Sequence, residues 1–456
     1  MSIKPGSTTG IFSIFSSANP IPATSPIRTK RKLVDYFVLQ FKENVIPQLP
    51  LLRKSVIHND ANDWNVLVNG DEVIGIIDFG DTVYAPLINE LAVAITYAVI
   101  GKADPLSWAT YIIKGYHKIL ALEKREVELL YYLIAARLSL SVSQSAIGRH
   151  RDPENSYVSI SENAAWELLH LWLSINPERA RHAFGSAIGL EMYPVESIQE
   201  KIDRRYKYLN PIVSISYKEP LWMTKAAFQY MYDGYGNTFL DAYNNIPHVG
   251  HSHPKVVEAG RKQMAMLNTN TRYIYDLLGD YAGRLLSLFP KPLSKVYFVN
   301  SGSAASDLAI RLARHYTGRE AVMVMEHGYH GHTCTGVDIS HYKFNNNKGP
   351  GRKPYILSTP MPDTYRGAYR DADAGYKYAT EARDLLLSFP EPVAAFIAEP
   401  VVGCGGQVPL AQGYLQSLYP SLRQYGAVCI SDEVQTGFGR LGTDFWGFEA
   451  HGVVPT

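Results

Sequence analysis

The chain has 456 residues, 46% of them hydrophobic and 19% charged, and a formal net charge of +1. This length predicts two or three domains with buried cores, and the charge balance argues against a nucleic-acid face or a charged tail. The cysteines, Cys334, Cys404 and Cys429, are too widely spaced for a metal pair or a disulfide framework, and the longest apolar run, at 91–100, is too short to span a bilayer. No membrane or nucleic-acid partner is expected, and a reducing, cytoplasmic setting is.

Residues 1–30 are rich in Ser, Thr and Pro and are expected to be disordered or a non-native start. From 31 to 190 the pattern is mostly helical, apart from one strand pair near 65–78. The segments "NELAVAITYAVIG", "SWATYIIKGYHKIL", "EVELLYYLIAARLSLSVSQSA" and "ENAAWELLHLWLSI" carry apolar residues at helical spacing. A linker is expected over 191–216, where prolines break the pattern. From 217 to 456 short apolar strands alternate with amphipathic helices: "KVYFVN", "AVMVME", "AAFIAE" and "AVCIS". That alternation predicts an α/β fold with a largely parallel sheet.

The stretch "VIHNDANDWNVLVNGDEVIGIIDFGD" sets His58, Asp60, Asn65 and Asp78 around an expected hairpin. The hairpin would return Asn65 and Asp78 to one end. Phosphoryl transfer needs such a cluster: Asp60 as the base facing the hydroxyl, with Asn65 and Asp78 as ligands of magnesium on ATP. The residues "NDANDWNVLV" and "IIDFGDTVYAPLINELAVA" resemble the aminoglycoside phosphotransferase and choline kinase-like family, closest to its hydroxylysine kinase branch. The resemblance covers 31–190 and implies the helical C-terminal lobe of a kinase. Family kinases also carry a glycine-rich loop and an ATP-positioning lysine before this lobe. No strand, glycine loop and strand precede His58, so weak or absent kinase activity is expected.

Further on, "KVYFVNSGSAASDLAIRLARHYTG" pairs a strand with a helix through a Ser-Gly-Ser turn. Free amides and the dipole at such a helix start favour a phosphate; Ser301 and Ser303 add hydroxyls, and Gly302 permits close approach. In "EHGYHGHTCTG", Tyr329 is placed to stack on a planar ring. His330 and His332 lack partners at metal-ligand spacing. The runs "FIAEPVVGCGGQ" and "CISDEVQTGFGR" end two more strands, where α/β folds build sites.

In this order the four elements resemble the class III aminotransferases, pyridoxal phosphate (PLP) enzymes of fold type I, from 217 to 456. The resemblance implies that Asp432 pairs with the pyridine nitrogen, that Val434 packs on the ring face opposite Tyr329, and that Gln435 reaches the phenol oxygen. Glu399 is expected to be supporting. Ala304 and Ser306 depart from the family pattern, which has Glu and Asn there. "QMAMLNTNTRYIYD", "SHYKF", "MPDTYRGAYR" and "CGGQ" resemble the phospho-lyase branch. Cys404 stands where ordinary members have the glutamate of Gly-Glu-Gly-Gly. Arg366 and Arg370 are candidate contacts for a substrate phosphate.

The family holds PLP on a lysine of the strand after the aspartate, and this sequence has no lysine after Lys377. The expected architecture is therefore an incomplete PLP large domain behind a kinase-like lobe, with no covalent cofactor link, and this chain is expected to be an inactive fragment. The substrate expected is an amino alcohol or its phosphate, since a kinase step makes the phosphate ester that a lyase then eliminates. An ordinary transaminase and a non-catalytic product of a truncated gene are the alternatives. The resemblance implies a homodimer in the complete protein.

Overall fold

Helix α1 (Ser25–Asn44) begins inside the stretch expected to lack structure, because "KLVDYFVLQF" places Leu33, Val34, Phe37 and Phe41 on one buried stripe. The computed structural model describes residues 25–151, 162–192, 196–244 and 248–456; the expectation for 1–24 lies outside them. The chain divides into two compact units, Met1–Asn268 and Thr269–Thr456. No described helix is long and apolar enough to cross a membrane.

In the first unit, strands β1 (Lys54–Ile57) and β4 (Val83–Pro86) pair antiparallel around the hairpin β2 (Val66–Asn69) and β3 (Glu72–Ile76). Gly70 takes the positive φ of 61° that the tight turn requires. Most apolar side chains of the hairpin, Val68, Val73 and Ile74 among them, are exposed. Helices α2 (Ile88–Ala98), α3 (Pro105–Ile119), α4 (Lys124–Arg151), α5 (Glu162–Ser174) and α6 (Pro177–Ser186) follow. Helix α4 is central, with Leu130, Ile134, Leu138 and Val142 at or below 3% exposure, which buries it on most sides. Trp172 of α5 donates to the carbonyl of Tyr131 at 3.1 Å, and the Tyr131 hydroxyl donates back to the carbonyl of Trp172 at 3.0 Å.

The expected linker holds a helix of its own, α7 (Ile198–Tyr208), started by a reciprocal Ser197–Glu200 capping box. The meander β5 (Met223–Ala227), β6 (Tyr230–Asp233) and β7 (Thr238–Leu240) then packs into the same core as the helices. Fully buried Asn176 makes the join. Its Nδ2 donates to the carbonyls of Asp233 and Asn237, both at 2.8 Å, and its Oδ1 accepts from the Glu178 amide at 2.8 Å to cap α6. The Tyr232 hydroxyl donates to the Leu173 carbonyl. Helix α8 (Pro254–Met266) closes this unit. Before it, His251 pairs with Asp241 at 2.7 Å, and His253 precedes the helix without capping it by its side chain.

The second unit opens with α9 (Asp276–Leu286) and α10 (Gly302–Thr317). Its sheet is parallel, in the order β13-β10-β8-β9, from β8 (Ala321–Met325), β9 (Ile356–Thr359), β10 (Val393–Ala398) and β13 (Val428–Ser431). Every residue of β8 and β10 is buried, as central strands covered on both faces should be. Val322 and Val324 join the core beneath α10, while Met323 and Met325 join the core beneath α11 (Ala374–Ser388) and α12 (Tyr414–Gln424). The short pair β11 (Val401–Val402) and β12 (Val408–Pro409) follows β10. The strand expected at "KVYFVN" is not formed. That segment has no ladder partner among the described residues; Tyr297 and Phe298 are exposed, and Phe298 stacks on Tyr281. An apolar run becomes a strand only where another backbone meets its amides and carbonyls.

Asn176→Leu should destabilise the first unit by about 2–4 kcal/mol, because it orphans buried partners in β6 and the turn beyond it. Urea unfolding followed by tryptophan fluorescence measures this; a loss below about 1 kcal/mol would show that the join is dispensable.

Candidate functional site

Two constellations are built, one in each unit. In the first, β1 delivers His58, and the hairpin returns the chain so that the Ile77 amide donates to the Asn65 carbonyl at 3.0 Å. The expected gathering of Asn65 and Asp78 at one end therefore holds. The His58 ring bridges the loop, with Nε2 at 2.9 Å from the Ile77 carbonyl and Nδ1 accepting from the Asp60 amide at 3.3 Å. Asp78 sits in the left-handed region at φ 61°, a strained conformation that turns its carboxylate back to accept from the Gly80 amide.

Asp60 is fully engaged. Its Oδ1 accepts from Arg137 Nη2 at 2.7 Å, and its Oδ2 accepts from Asn62 and Asn65 Nδ2, both at 3.0 Å. Asn65 Nδ2 also donates to the Asp60 carbonyl at 2.9 Å, so its amide oxygen is the atom turned to any partner beyond Asp60. Arg137 comes from α4, far along the chain, and also donates to the Tyr97 hydroxyl at 2.9 Å. No local motif announces it. Among the described residues no group of three or more His, Cys, Asp or Glu could hold a metal. An amide oxygen plus one carboxylate suits magnesium only when phosphate oxygens complete the shell.

In the second unit, Ser301 caps α10 through Oγ, which accepts from the Ala304 amide at 3.1 Å. A Cβ on Gly302 would lie 2.7 Å from Val434 Cγ2, so glycine lets the helix start close on Val434. Gly331, at φ 121°, passes so near Ser303 that a Cβ would lie 2.6 Å from its Oγ, which accepts from the His332 amide at 3.1 Å. Ser306, where the family pattern has Asn, buries its hydroxyl on the Gly302 carbonyl at 3.1 Å. The turn thus has a different support from the expected one.

Asp432 is buried at the end of β13. Its Oδ2 meets His330 Nδ1 at 2.7 Å, and its Oδ1 accepts from the Val434 amide at 3.2 Å. The His330 side chain is fully buried, and its Nε2 has no partner among the described residues. Its backbone amide donates to Ser340 Oγ at 2.7 Å. Glu399 ends β10 and accepts from the Tyr329 and Gly403 amides at 3.1 and 3.2 Å; burial pushes its carboxyl above the usual range. Glu433 anchors the loop behind Asp432 by accepting from the Gly447 and Phe448 amides at 2.7 and 2.9 Å. Tyr329 hydrogen-bonds His332 Nδ1 at 3.2 Å.

Ser301, Gly302, Ser303, Tyr329, Asp432 and Val434 are tied into one place by these contacts. Gln435 packs on Gly403 beside them and accepts from Gln407 Nε2 at 3.4 Å. The two arginines lie beyond Gln407, along an open cavity of about 600 Å³. Arg366 reaches Asp363 Oδ2 at 3.4 Å and the Gly405 carbonyl at 3.5 Å; Arg370 donates to the Gly367 and Arg366 carbonyls at 2.9 and 3.2 Å. No sequence motif marks Arg137 as the partner of Asp60 or His330 as the partner of Asp432. Their partners are remote in sequence, so no spacing could have flagged them.

The residues present fit PLP: a capped helix start of 16 residues, a buried carboxylate already paired, and glycines at both close approaches. A parallel sheet with this turn, aromatic and aspartate at the carboxyl ends of its strands defines a class III aminotransferase site. The model of that family, Aminotransferase class-III, matches residues 213–456, and the chain belongs to the family. A second family model, Phosphotransferase enzyme family, matches 27–130.

An alanine–glyoxylate aminotransferase 2-like protein of Drosophila melanogaster is 44% identical over 265 residues, covering 56% of this chain and 54% of that protein. Ethanolamine-phosphate phospho-lyase homolog 1 of Caenorhabditis elegans is 39% identical over 272 residues, covering 56% of this chain and 58% of that protein. A phospholyase from Arthrobacter, solved in complex with phosphoethanolamine, is 32% identical with a TM-score of 0.52, over 56% of this chain and 61% of that one. The chain spans about half the length of the curated relatives it matches.

Gly302→Ala should cost about 1–3 kcal/mol through its clash with Val434, and Val434→Ala should remove most of that cost. A double-mutant cycle on unfolding midpoints checks the coupling; additive effects would show that the two do not touch.

Proposed function

We propose that the chain is of the PLP-dependent phospho-lyase type, for an O-phosphorylated amino alcohol, joined to a phosphotransferase-like lobe whose own transfer activity is weak or absent. One observation carries the reading: the buried Asp432–His330 pair beside the α10 start occurs in the same chain as the engaged Asp60 loop. The similarity to a phospholyase solved with phosphoethanolamine supports the substrate class.

PLP, when bound, supplies an electron sink for the carbon bearing the amine. The amides of Gly302 and Ser303, with the Ser301 and Ser303 hydroxyls, would receive its phosphate. Asp432 would keep the pyridine nitrogen protonated, and His330 would orient that carboxylate. Tyr329 and Val434 would flank the ring, with Gln435 at the phenol oxygen. The proton of the amine-bearing carbon would go to the family's lysine, which this sequence does not supply, and phosphate would leave its neighbour with the C–O electron pair, so that a double bond remains between the two carbons. Phosphate leaves far more readily than hydroxide, which is why the kinase reaction belongs beside this one.

In the other lobe Asp60 would orient the attacking hydroxyl, and Arg137 would hold its carboxylate in position. Asn65 and Asp78 would hold magnesium on the phosphates of ATP. The same reading includes a cytoplasmic homodimer, by resemblance to the family.

A second reading, amino transfer to a keto acid, is favoured by the similarity to alanine–glyoxylate aminotransferase 2-like proteins. In a protein that also carries the family's lysine, PLP-dependent release of phosphate from phosphoethanolamine, reduced roughly a hundredfold or more by Asp432→Ala, is the expected result. Keto-acid consumption without phosphate release would establish the transaminase instead. Weak or no transfer from ATP to an amino alcohol is expected with magnesium; robust transfer that is lost on Asp60→Ala would overturn that expectation.

A further inference from the structure

We propose that Lys343 is the cation that recognises the substrate's phosphate monoester in the PLP site. The inference rests on the phospho-lyase reading and names a residue that reading does not supply.

Lys343 lies on the short helical turn His341–Phe344, whose ends are both buried. His341 Nδ1 accepts from the His327 amide at 3.0 Å, and the Tyr342 amide donates to the Gly328 carbonyl at 3.1 Å. The backbone beneath Lys343 is therefore pinned to the turn that carries Tyr329. The half-buried ammonium stands 5.5 Å from the Tyr329 ring centroid and 5.6 Å from that of Tyr342. An ammonium on aromatic faces has lost part of its hydration and retains donors for an anion. Among the described residues it makes no ion pair with a carboxylate.

Arg366 reaches Asp363 and the Gly405 carbonyl, and Arg370 the carbonyls of its own loop, and each keeps further donors with which it would assist Lys343 at the phosphate. Lys343 is also close enough to Cys404 for its charge to oppose the upward push of burial on that thiol. Cys404 thus presents a neutral group to the ammonium. A carboxylate at position 404 would pair with Lys343 and cancel it. The thiol keeps the positive charge available, which suits a dianionic phosphate ester.

The test titrates phosphoethanolamine and ethanolamine into the protein saturated with PLP, by calorimetry. PLP affinity is measured separately, by quenching of tryptophan fluorescence. Lys343→Met and Cys404→Glu should each weaken phosphoethanolamine roughly tenfold to a hundredfold while ethanolamine is unchanged. Lys343→Arg should retain most of the affinity. PLP affinity should stay within about twofold throughout. Unchanged phosphoethanolamine binding by Lys343→Met, with the unmodified protein still preferring it to ethanolamine, overturns this assignment alone. A parallel fall in PLP affinity assigns Lys343 to the cofactor and overturns it too. No preference for phosphoethanolamine in the unmodified protein overturns the phospho-lyase reading together with it.

Discussion

A carboxylate buried at the end of a parallel strand has to be paired, and Asp432 is paired with His330. An unpartnered charge there would cost several kcal/mol. The pairing dictates the rest of the second unit. The Asp432 amide donates to the Ala398 carbonyl at 2.9 Å, which continues the β10–β13 register past the strand end. His330 must rise from the turn after β8 at the matching height, so its amide is anchored on Ser340, whose hydroxyl is in turn held by the Gly336 carbonyl at 2.6 Å. That geometry brings Gly331 against Ser303 and gives the α10 start its place. A chain of close approaches thus follows from one charge that burial does not tolerate alone.

The first unit solves the same problem with a different partner. Asp60 has a guanidinium and two carboxamides around it, and Asp432 has an imidazole and one amide. Arginine keeps its charge at any working pH, so Arg137 gives Asp60 a fixed electrostatic setting suited to orienting a hydroxyl. His330 is held by its own backbone, whose amide donates to Ser340, so it fixes the Asp432 carboxylate in one orientation. The two partners match the two chemistries proposed: positioning at a phosphoryl acceptor, and an oriented carboxylate beneath a ring nitrogen.

What was legible follows physical range. The hairpin at 66–76 was visible because Asn69 and Gly70 specify a tight turn locally, and β8 and β10 because central strands of a parallel sheet are continuous apolar runs. The turn at 301–303, Tyr329 and Asp432 were visible because each sits in a short motif. Arg137 and Asp60 are 77 residues apart, and His330 and Asp432 are 102 apart; such pairs are set by the fold and leave no periodic trace. "KVYFVN" misled for the complementary reason. Its composition is that of a strand, but pairing is a property of two backbones, and composition describes one.

The join at Asn176 shows why family boundaries and core boundaries need not coincide. The class III match starts at residue 213, yet β5, β6 and β7 lie in the first unit, and Tyr232 is part of its helical core. Asn176 serves both sides at once, since the amide that satisfies β6 and its turn belongs to the side chain that caps α6. Lys225 of β5 adds a bond to the Tyr132 hydroxyl of α4 at 2.9 Å. The same helix carries Arg137, the partner of Asp60. A displacement of the meander is therefore resisted by the helix that positions the phosphotransferase carboxylate. The helical lobe and the first strands of the aminotransferase match share their packing, so the fusion is a matter of common core as well as common chain.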